Sequence, residues 1–368
     1  MSTQTTVKMS PMPQLEGLRA ICLLSIILHH WTIGFFPVSI PFEMGAFVFF
    51  SLSGYLITRI LIRGREKWLK GATTFQHFIK SFTVRRMLRL LPGYGLALVL
   101  YVLLLTPDVL KNFLWYATNN SNIHFARLGY WPGGADQFWT LAVDQQFYLV
   151  WPFLIFLTPR KLLPAVLILV AFISPASRWM AYQDIFFFTG AMHDKLPWFL
   201  TDHLCFGGFL AYLQERGWSL KVKGLWCCLI SAFVAYLIFR YQPGILVLPQ
   251  NILIFQQTLL ALFSTCVVGL CAVGGATGIG RVVLEHPLAQ YIGQRSYGYY
   301  LYHNLAMLLL GKCAFFLFPP TGQPDHLLGV RILCGGALLA GLTHLSWKYL
   351  EEPLLRKKSK YSYQRCKG

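Results

Sequence analysis

Apolar residues run along this chain in blocks close to twenty residues long, and polar residues collect between the blocks. A helix rises about 1.5 Å per residue, so roughly 20 apolar residues cross the roughly 30 Å hydrocarbon core of a bilayer. Ten stretches fit that template: 18–36, 44–63, 90–106, 141–158, 163–177, 197–214, 225–241, 252–274, 296–318 and 328–349. They leave no gap wide enough for a separate soluble unit. The pattern therefore predicts an all-α, polytopic transmembrane bundle of about ten helices, one domain over residues 1–368 that ends in a basic tail from about residue 351. No small-residue cleavage site follows the first run, so that run is expected to stay as a helix and not to leave as a signal peptide.

Composition supports the same class. Hydrophobic residues make up 55% of the chain and charged residues only 12%, where soluble domains carry about a quarter; mean hydropathy is +0.51. The formal charge of +18 raises nucleic acid as a partner, but the basic residues sit in alternate connections and not on one amphipathic surface, which excludes it. One set of connections holds Lys8, Arg63 to Lys80, Arg85, Arg86, Arg89, Arg160, Lys161, Arg216, Lys221, Lys223, Arg281, Arg295 and the tail. The opposite set holds only Lys111, Arg127, Arg178, Lys195, Arg240 and Lys312. By the positive-inside rule both termini are expected in the cytoplasm. The nine cysteines fall mainly inside apolar runs with no CxxC pair, so they read as packing residues and not as disulfides or metal ligands.

Against this background a few polar residues stand out, because ionisable groups at bilayer depth are costly and mark function by default. In the first run, Arg19 and His30 are eleven positions apart, which brings them within about 20° of one helix face and about 16 Å apart along the axis. His29 points about 100° away. His30 is then either a reactive imidazole near mid-membrane or a polar tie between helices. The stretch KSFTVRRMLRLLPGY places Arg85, Arg86 and Arg89 just before an apolar span, with Arg86 and Arg89 on one side of a helix. Such a cluster is either a phosphate clamp or a positive-inside anchor. Asp144, inside FWTLAVDQQFYLVWP, demands a cation, a donor or a proton. His30 is an available partner, and a carboxylate that orients an imidazole is half of a general-base dyad; a helix cap is the alternative. In SLSGY, Gly54 permits close helix approach and Ser51 and Ser53 can bond across helices, while SYGYYLYHNL carries Tyr302 and His303 as further polar groups at depth. The polar segment Asn119 to Gln137, rich in Asn, Gly and Trp, suits carbohydrate contact or a plain surface loop. No GxSxG, HExxH, Walker loop or paired Cys/His metal spacing is present.

Taken together, LEGLRAICLLSIILHH, FFSLSGYLI, RRMLRLLPGY, WTLAVDQQFYLVWP, YIGQRSYGYYLYHNL and WKYLEEPLLR resemble the bacterial integral-membrane acyltransferase type three family of O-acyltransferases, in the family's order and over nearly the whole chain. The resemblance implies a ten-helix catalytic unit without an appended extracytoplasmic esterase-like domain. It implies that Arg19 and His30, and Arg86 and Arg89, are the two family signatures, with Trp139, Asp144 and Tyr148 in the Trp-led motif and Glu351 at a structural acidic position before Pro353. Two successive glutamates are usual in that motif, whereas this chain has Asp144 and Gln145. The activity implied is transfer of an acyl group, most plausibly acetyl, from cytoplasmic acyl-CoA, a co-substrate and not a bound cofactor, to a hydroxyl of a carbohydrate or glycosylated metabolite. His30 would be the base assisted by Asp144; Arg19, Arg85, Arg86 and Arg89 would hold the donor phosphates; Ser53, Tyr302 and His303 would line the path. The expected setting is the bacterial inner membrane. The rival function is a transporter or channel with His30 and Asp144 as a proton relay.

Overall fold

The computed structural model describes residues 12–32, 43–183, 192–219, 221–241, 249–314 and 327–363. Lys8, residues 33–36 of the first predicted span, 315–318 of the ninth and 364–368 of the tail lie outside them. In chain order the α-helices are α1 (Pro13–Trp31), α2 (Met44–Leu69), α3 (Phe75–Leu103), α4 (Pro107–Lys111), α5 (Phe113–Ala117), α6 (Ser121–Leu128), α7 (Phe138–Leu157), α8 (Leu163–Ala171), α9 (Ile173–Tyr182), α10 (Thr201–Glu215), α11 (Val222–Tyr241), α12 (Pro249–Ala272), α13 (Gly278–Glu285), α14 (Pro287–Gln294), α15 (Ser296–Cys313), α16 (Leu328–Ser346) and α17 (Glu352–Arg356). No strand occurs among the described residues.

Six stretches are long and apolar enough to cross a membrane: Met44–Leu69, Phe75–Leu103, Phe138–Leu157, Leu163–Tyr182, Ile254–Ala272 and Leu328–Lys360. Among the described residues each of the ten predicted intervals overlaps helix, but six and not ten stretches meet the length and hydropathy of a span. The intervals at α1, α10, α11 and α15 fall short of that combined length and hydropathy. α1 carries Glu16, Arg19, His29 and His30, α10 has only 15 residues, and α15 is rich in Tyr, His and Asn. Side chains such as Leu24, Val99, Leu103, Leu149, Val150 and Phe172 point outward and exposed, as spans facing lipid require. The fifth predicted span is broken after Ala171. Pro175 cannot donate to Ala171, and its ring clashes with that carbonyl.

Two aromatic cores hold the bundle. One gathers Leu23 and Ile26 of α1, Tyr94 and Tyr101 of α3, Phe138 of α7 and Tyr302 of α15. The other gathers Phe50 and Ile57 of α2, Phe78 of α3, Trp151 of α7 and Leu204 of α10. Lipid is as apolar as these side chains, so burial alone does not drive the helices together; close packing and interhelical hydrogen bonds do. At the α2–α10 contact a Cβ on Gly54 would lie 2.0 Å from the Leu204 carbonyl oxygen, and one on Gly207 would lie 2.0 Å from that of Ser51. The close approach expected of Gly54 is thus met, with Gly207 as its counterpart. Arg59 and Arg63 of α2 then clamp Glu215 of α10 at 2.7 and 2.8 Å. At the start of α1, Gln14 donates to Glu285 at 3.0 Å, and this bond together with Arg281 holds the exposed Glu285 carboxyl below its usual pKa.

Two parts of the charge pattern used to assign sides, Arg178 and the tail, are tied into the bundle. Arg178 is buried in α9, paired with the fully buried Asp202 of α10 at 2.8 Å. Its charge is neutralised inside the bundle, so it carries no weight in the asymmetry. The tail beyond Glu351 is not a free basic segment either: it continues as α17 and a short 3-10 turn, Lys357–Lys360, and docks against α3.

Candidate active site

The two imidazoles singled out at bilayer depth meet. The His30 and His303 rings lie 4.8 Å apart between centroids, on α1 and α15. His30 Nδ1 faces the Ile26 carbonyl at 2.9 Å, and His303 Nδ1 faces the Tyr300 carbonyl at 2.5 Å. A carbonyl only accepts, so in both neutral rings the proton sits on Nδ1. Each Nε2 is left with its lone pair, and that of the fully buried His303 has no partner. Each bond runs three or four residues back along its own helix, so the helix itself fixes the tautomer.

Between the two aromatic cores opens a cavity of about 120 Å³. Arg19, Arg86 and Arg89 line it with Ser53, Asp144 and Tyr148. Ile26 and Tyr300, whose carbonyls hold the two histidines, line it as well. Arg19 is partly neutralised by Glu16, to which it donates at 2.8 and 2.9 Å. Arg86 lies over the Tyr148 ring at 5.7 Å and over Phe82 at 5.6 Å. Arg89 adds a third guanidinium within electrostatic reach of the other two. Ser53 stands beside both Asp144 and Tyr148 on the cavity wall. One Asp144 oxygen, Oδ1, is buried without a donor.

The expected contact between Asp144 and His30 is not made. No hydrogen bond or ion pair joins them among the described residues, and Asp144 stands with Ser53, Arg86 and Tyr148 instead. The helix repeat explains the offset: Gln137 bonds to Leu301 O and Asn304, the α15 residues on either side of His303 in the chain, whereas Asp144 lies seven residues further along α7, about 10 Å along the axis.

The remaining predicted residues separate into supports. Tyr302 shares a 2.8 Å bond with Ser346, which donates to the buried Glu351 at 2.9 Å. The Tyr302 hydroxyl oxygen also lies 3.4 Å from the Gly93 carbonyl oxygen, one residue past Pro92 in α3. Glu351 lies within electrostatic reach of Arg89 and Arg295, so it is a counter-charge behind the arginine cavity. Arg85 does not line that cavity. It donates to the carbonyls of Lys358 and Tyr361 at 3.2 and 3.1 Å and lies 4.8 Å over the Tyr363 ring. Ser81 donates to Ser362 O at 3.1 Å, and Tyr363 stacks on Phe78 at 5.0 Å. Arg85 thus fastens the tail, which brings Lys358 within reach of Arg86 and Arg89. Trp139 turns away from this cavity, packing on Phe50 at 5.9 Å.

Sequence reasoning missed Gln137, placed at the end of a polar loop but fully buried. Its side-chain amide donates to the Tyr101 hydroxyl at 2.8 Å and to Leu301 O at 3.0 Å, and its Oε1 accepts from Asn304 at 2.9 Å. These bonds lock α3, α7 and α15 around the histidine pair. The available signal was its neighbour: a lone amide beside Phe138 at a helix start must find partners once buried.

Fold and site define a multi-pass helical membrane protein with an imidazole pair set against a cation-lined cavity. The chain belongs to the acyltransferase-domain family, which matches residues 12–344. It is 28% identical to the peptidoglycan O-acetyltransferase OatA of Listeria monocytogenes, over 93% of this chain and 55% of that protein. It is 26% identical to the putative peptidoglycan O-acetyltransferase YrhL of Bacillus subtilis, over 93% of this chain and 54% of the relative. To the O-acetyltransferase OatA of Staphylococcus aureus it is 26% identical, over 94% of this chain and 57% of the relative. The chain therefore spans about half the length of these curated relatives. No solved structure matches it.

Proposed function

We propose that the protein is a membrane O-acetyltransferase that moves an acetyl group from acyl-CoA to a hydroxyl of a cell-surface carbohydrate, working in the bacterial inner membrane with both termini in the cytoplasm. The names of the relatives support the acetyl group and the glycan acceptor. The observation that carries the chemistry is the free Nε2 of His30, fixed by the Ile26 carbonyl and set behind a cavity that holds three guanidinium groups.

In this reaction Arg19, Arg86 and Arg89 bind the donor phosphates from the cytoplasmic side, and the pantetheine arm carries the thioester inward. His30 Nε2 takes the proton of the acceptor hydroxyl as its oxygen attacks the thioester carbonyl carbon; the C–S bond breaks, the thiolate leaves, and the proton returns to sulfur. General-base transfer of this kind contributes about 10²- to 10⁴-fold, with positioning supplying the rest. Asp144 balances Arg86 on the wall of the same cavity, so its work lies on the donor side and not at the imidazole.

The test is transfer of radiolabelled acetyl from acetyl-CoA to glycan by purified protein in lipid nanodiscs. His30→Ala is expected to lower turnover by at least about 100-fold with little change in donor affinity. Unchanged turnover removes His30 as the base. A protein that moves protons or acetyl-CoA across sealed vesicles without modifying glycan is the transporter of the rival function.

A further inference from the structure

A second, larger cavity of about 330 Å³ opens on the other side of Trp139, in the size range of small-ligand sites. Phe47 of α2, Trp139 of α7, Tyr182 of α9, Lys195 and Gln257 of α12 are among its walls. Its charges are already spent. Arg178 is committed to Asp202, to the Phe199 carbonyl at 2.7 Å and to Thr258 at 3.1 Å. Lys195 pairs with Asp194 at 2.5 Å and lies 5.0 Å over the Trp139 ring and 5.5 Å over that of Trp131. A polyanion finds no net positive field there. Two features ask for a ligand of another kind. The Gln257 Oε1 is buried and meets no donor, a destabilising state that a ligand hydroxyl or amide would relieve. The indole and its aromatic neighbours offer flat apolar faces beside hydrogen-bonding groups, the combination that receives a ring with C–H bonds on its faces and hydroxyls on its rim.

We infer that this cavity is the acceptor subsite, and that it takes an uncharged saccharide ring stacked on Trp139 with a hydroxyl or amide donating to Gln257. The inference rests on the proposed acetyl transfer. A single aromatic contact, Phe50 on Trp139 at 5.9 Å, links it to the arginine cavity that Phe50 also lines.

The experiment is calorimetric titration of the full chain in nanodiscs with a β-1,4-linked N-acetylglucosamine tetrasaccharide and, separately, with acetyl-CoA. Trp139→Ala and Gln257→Ala are each expected to weaken saccharide binding by roughly tenfold, with Trp139→Phe restoring most of the loss and acetyl-CoA affinity unchanged throughout. The unchanged donor affinity also certifies that each variant is folded. Saccharide binding that is absent in the wild type, or indifferent to both substitutions, overturns the subsite. So does a parallel loss of acetyl-CoA affinity in a variant that keeps its thermal stability. If the saccharide behaves as expected while no acetyl is transferred, the subsite stands and the proposed reaction falls.

Discussion

The two cavities on either side of the Phe50–Trp139 contact share α2 and α7 as walls yet differ in what their side chains leave unsatisfied. In one, Arg19, Arg86 and Arg89 are matched in number by Glu16, Asp144 and Glu351, but among the described residues only Arg19 of the three forms a close ion pair, and the guanidinium groups repel one another. In the other, Arg178 and Lys195 are each matched to a carboxylate, and the unmet group is a neutral amide oxygen. Guanidinium groups that crowd one another along an open cavity suit an anion, and charges spent on close partners beside aromatic faces suit a neutral polar ring. On the proposed function, the first cavity would take the anionic donor and the second the neutral acceptor.

The strongest way to break this contrast is to remove the wall both cavities share. Gly54→Leu drives a side chain into the Leu204 carbonyl, where even a Cβ lies at 2.0 Å; we expect a loss of about 3 kcal/mol or more of stability. The measurement is the melting temperature in detergent, with binding of acetyl-CoA and saccharide both lost. A Gly54→Leu protein that melts like the wild type would mean that α2 and α10 are not locked at this contact.

A sharper cut leaves the fold intact. Arg86→Ala or Arg89→Ala removes one charge-assisted donor, worth about 1.5–3 kcal/mol, so the KM for acetyl-CoA should rise by about 10- to 100-fold while kcat at saturation and the affinity for saccharide hold. A fall in kcat with KM unchanged would move these arginines from binding to chemistry. A fall in saccharide affinity would erase the division between the cavities.

How much of this division was legible in the sequence depends on the range of each interaction. Helix positions followed from blocks of apolar residues, because a bilayer imposes one length on every span. Their ends did not: α3 starts at Phe75 and not near residue 90, since Thr74 caps it by accepting from the His77 amide, and its polar first turns carry no hydropathy signal. Arg19 and His30 shared a face by arithmetic alone. The partner of His30 could not be found that way. It depends on the register between helices, and there His303 stands against His30 while Asp144 lies seven residues along α7 from Gln137, which bonds beside His303. Arg178 read as a loop charge because a sequence does not show Asp202 waiting inside the bundle. Gly54 was legible because the absence of a Cβ has few other uses at membrane depth.

The smallest expected effect separates two neighbours in one motif. Arg85 and Arg86 are adjacent and equally charged, but one turns to the tail and the other to the cavity. Removing Arg85 takes away two hydrogen bonds to backbone carbonyls and the contact with Tyr363. The tail keeps the Ser81 and Phe78 contacts and so stays largely docked. Lys358 loses some of its restraint beside Arg86 and Arg89, and the KM for acetyl-CoA should rise by only about two- to fivefold, under about 1 kcal/mol. Pairing Tyr363→Ala with Arg85→Ala should raise it no further than Arg86→Ala does alone. If Arg85→Ala by itself matches Arg86→Ala, then the guanidinium reaches the donor directly, and its grip on the tail is a resting arrangement that the bound phosphates displace.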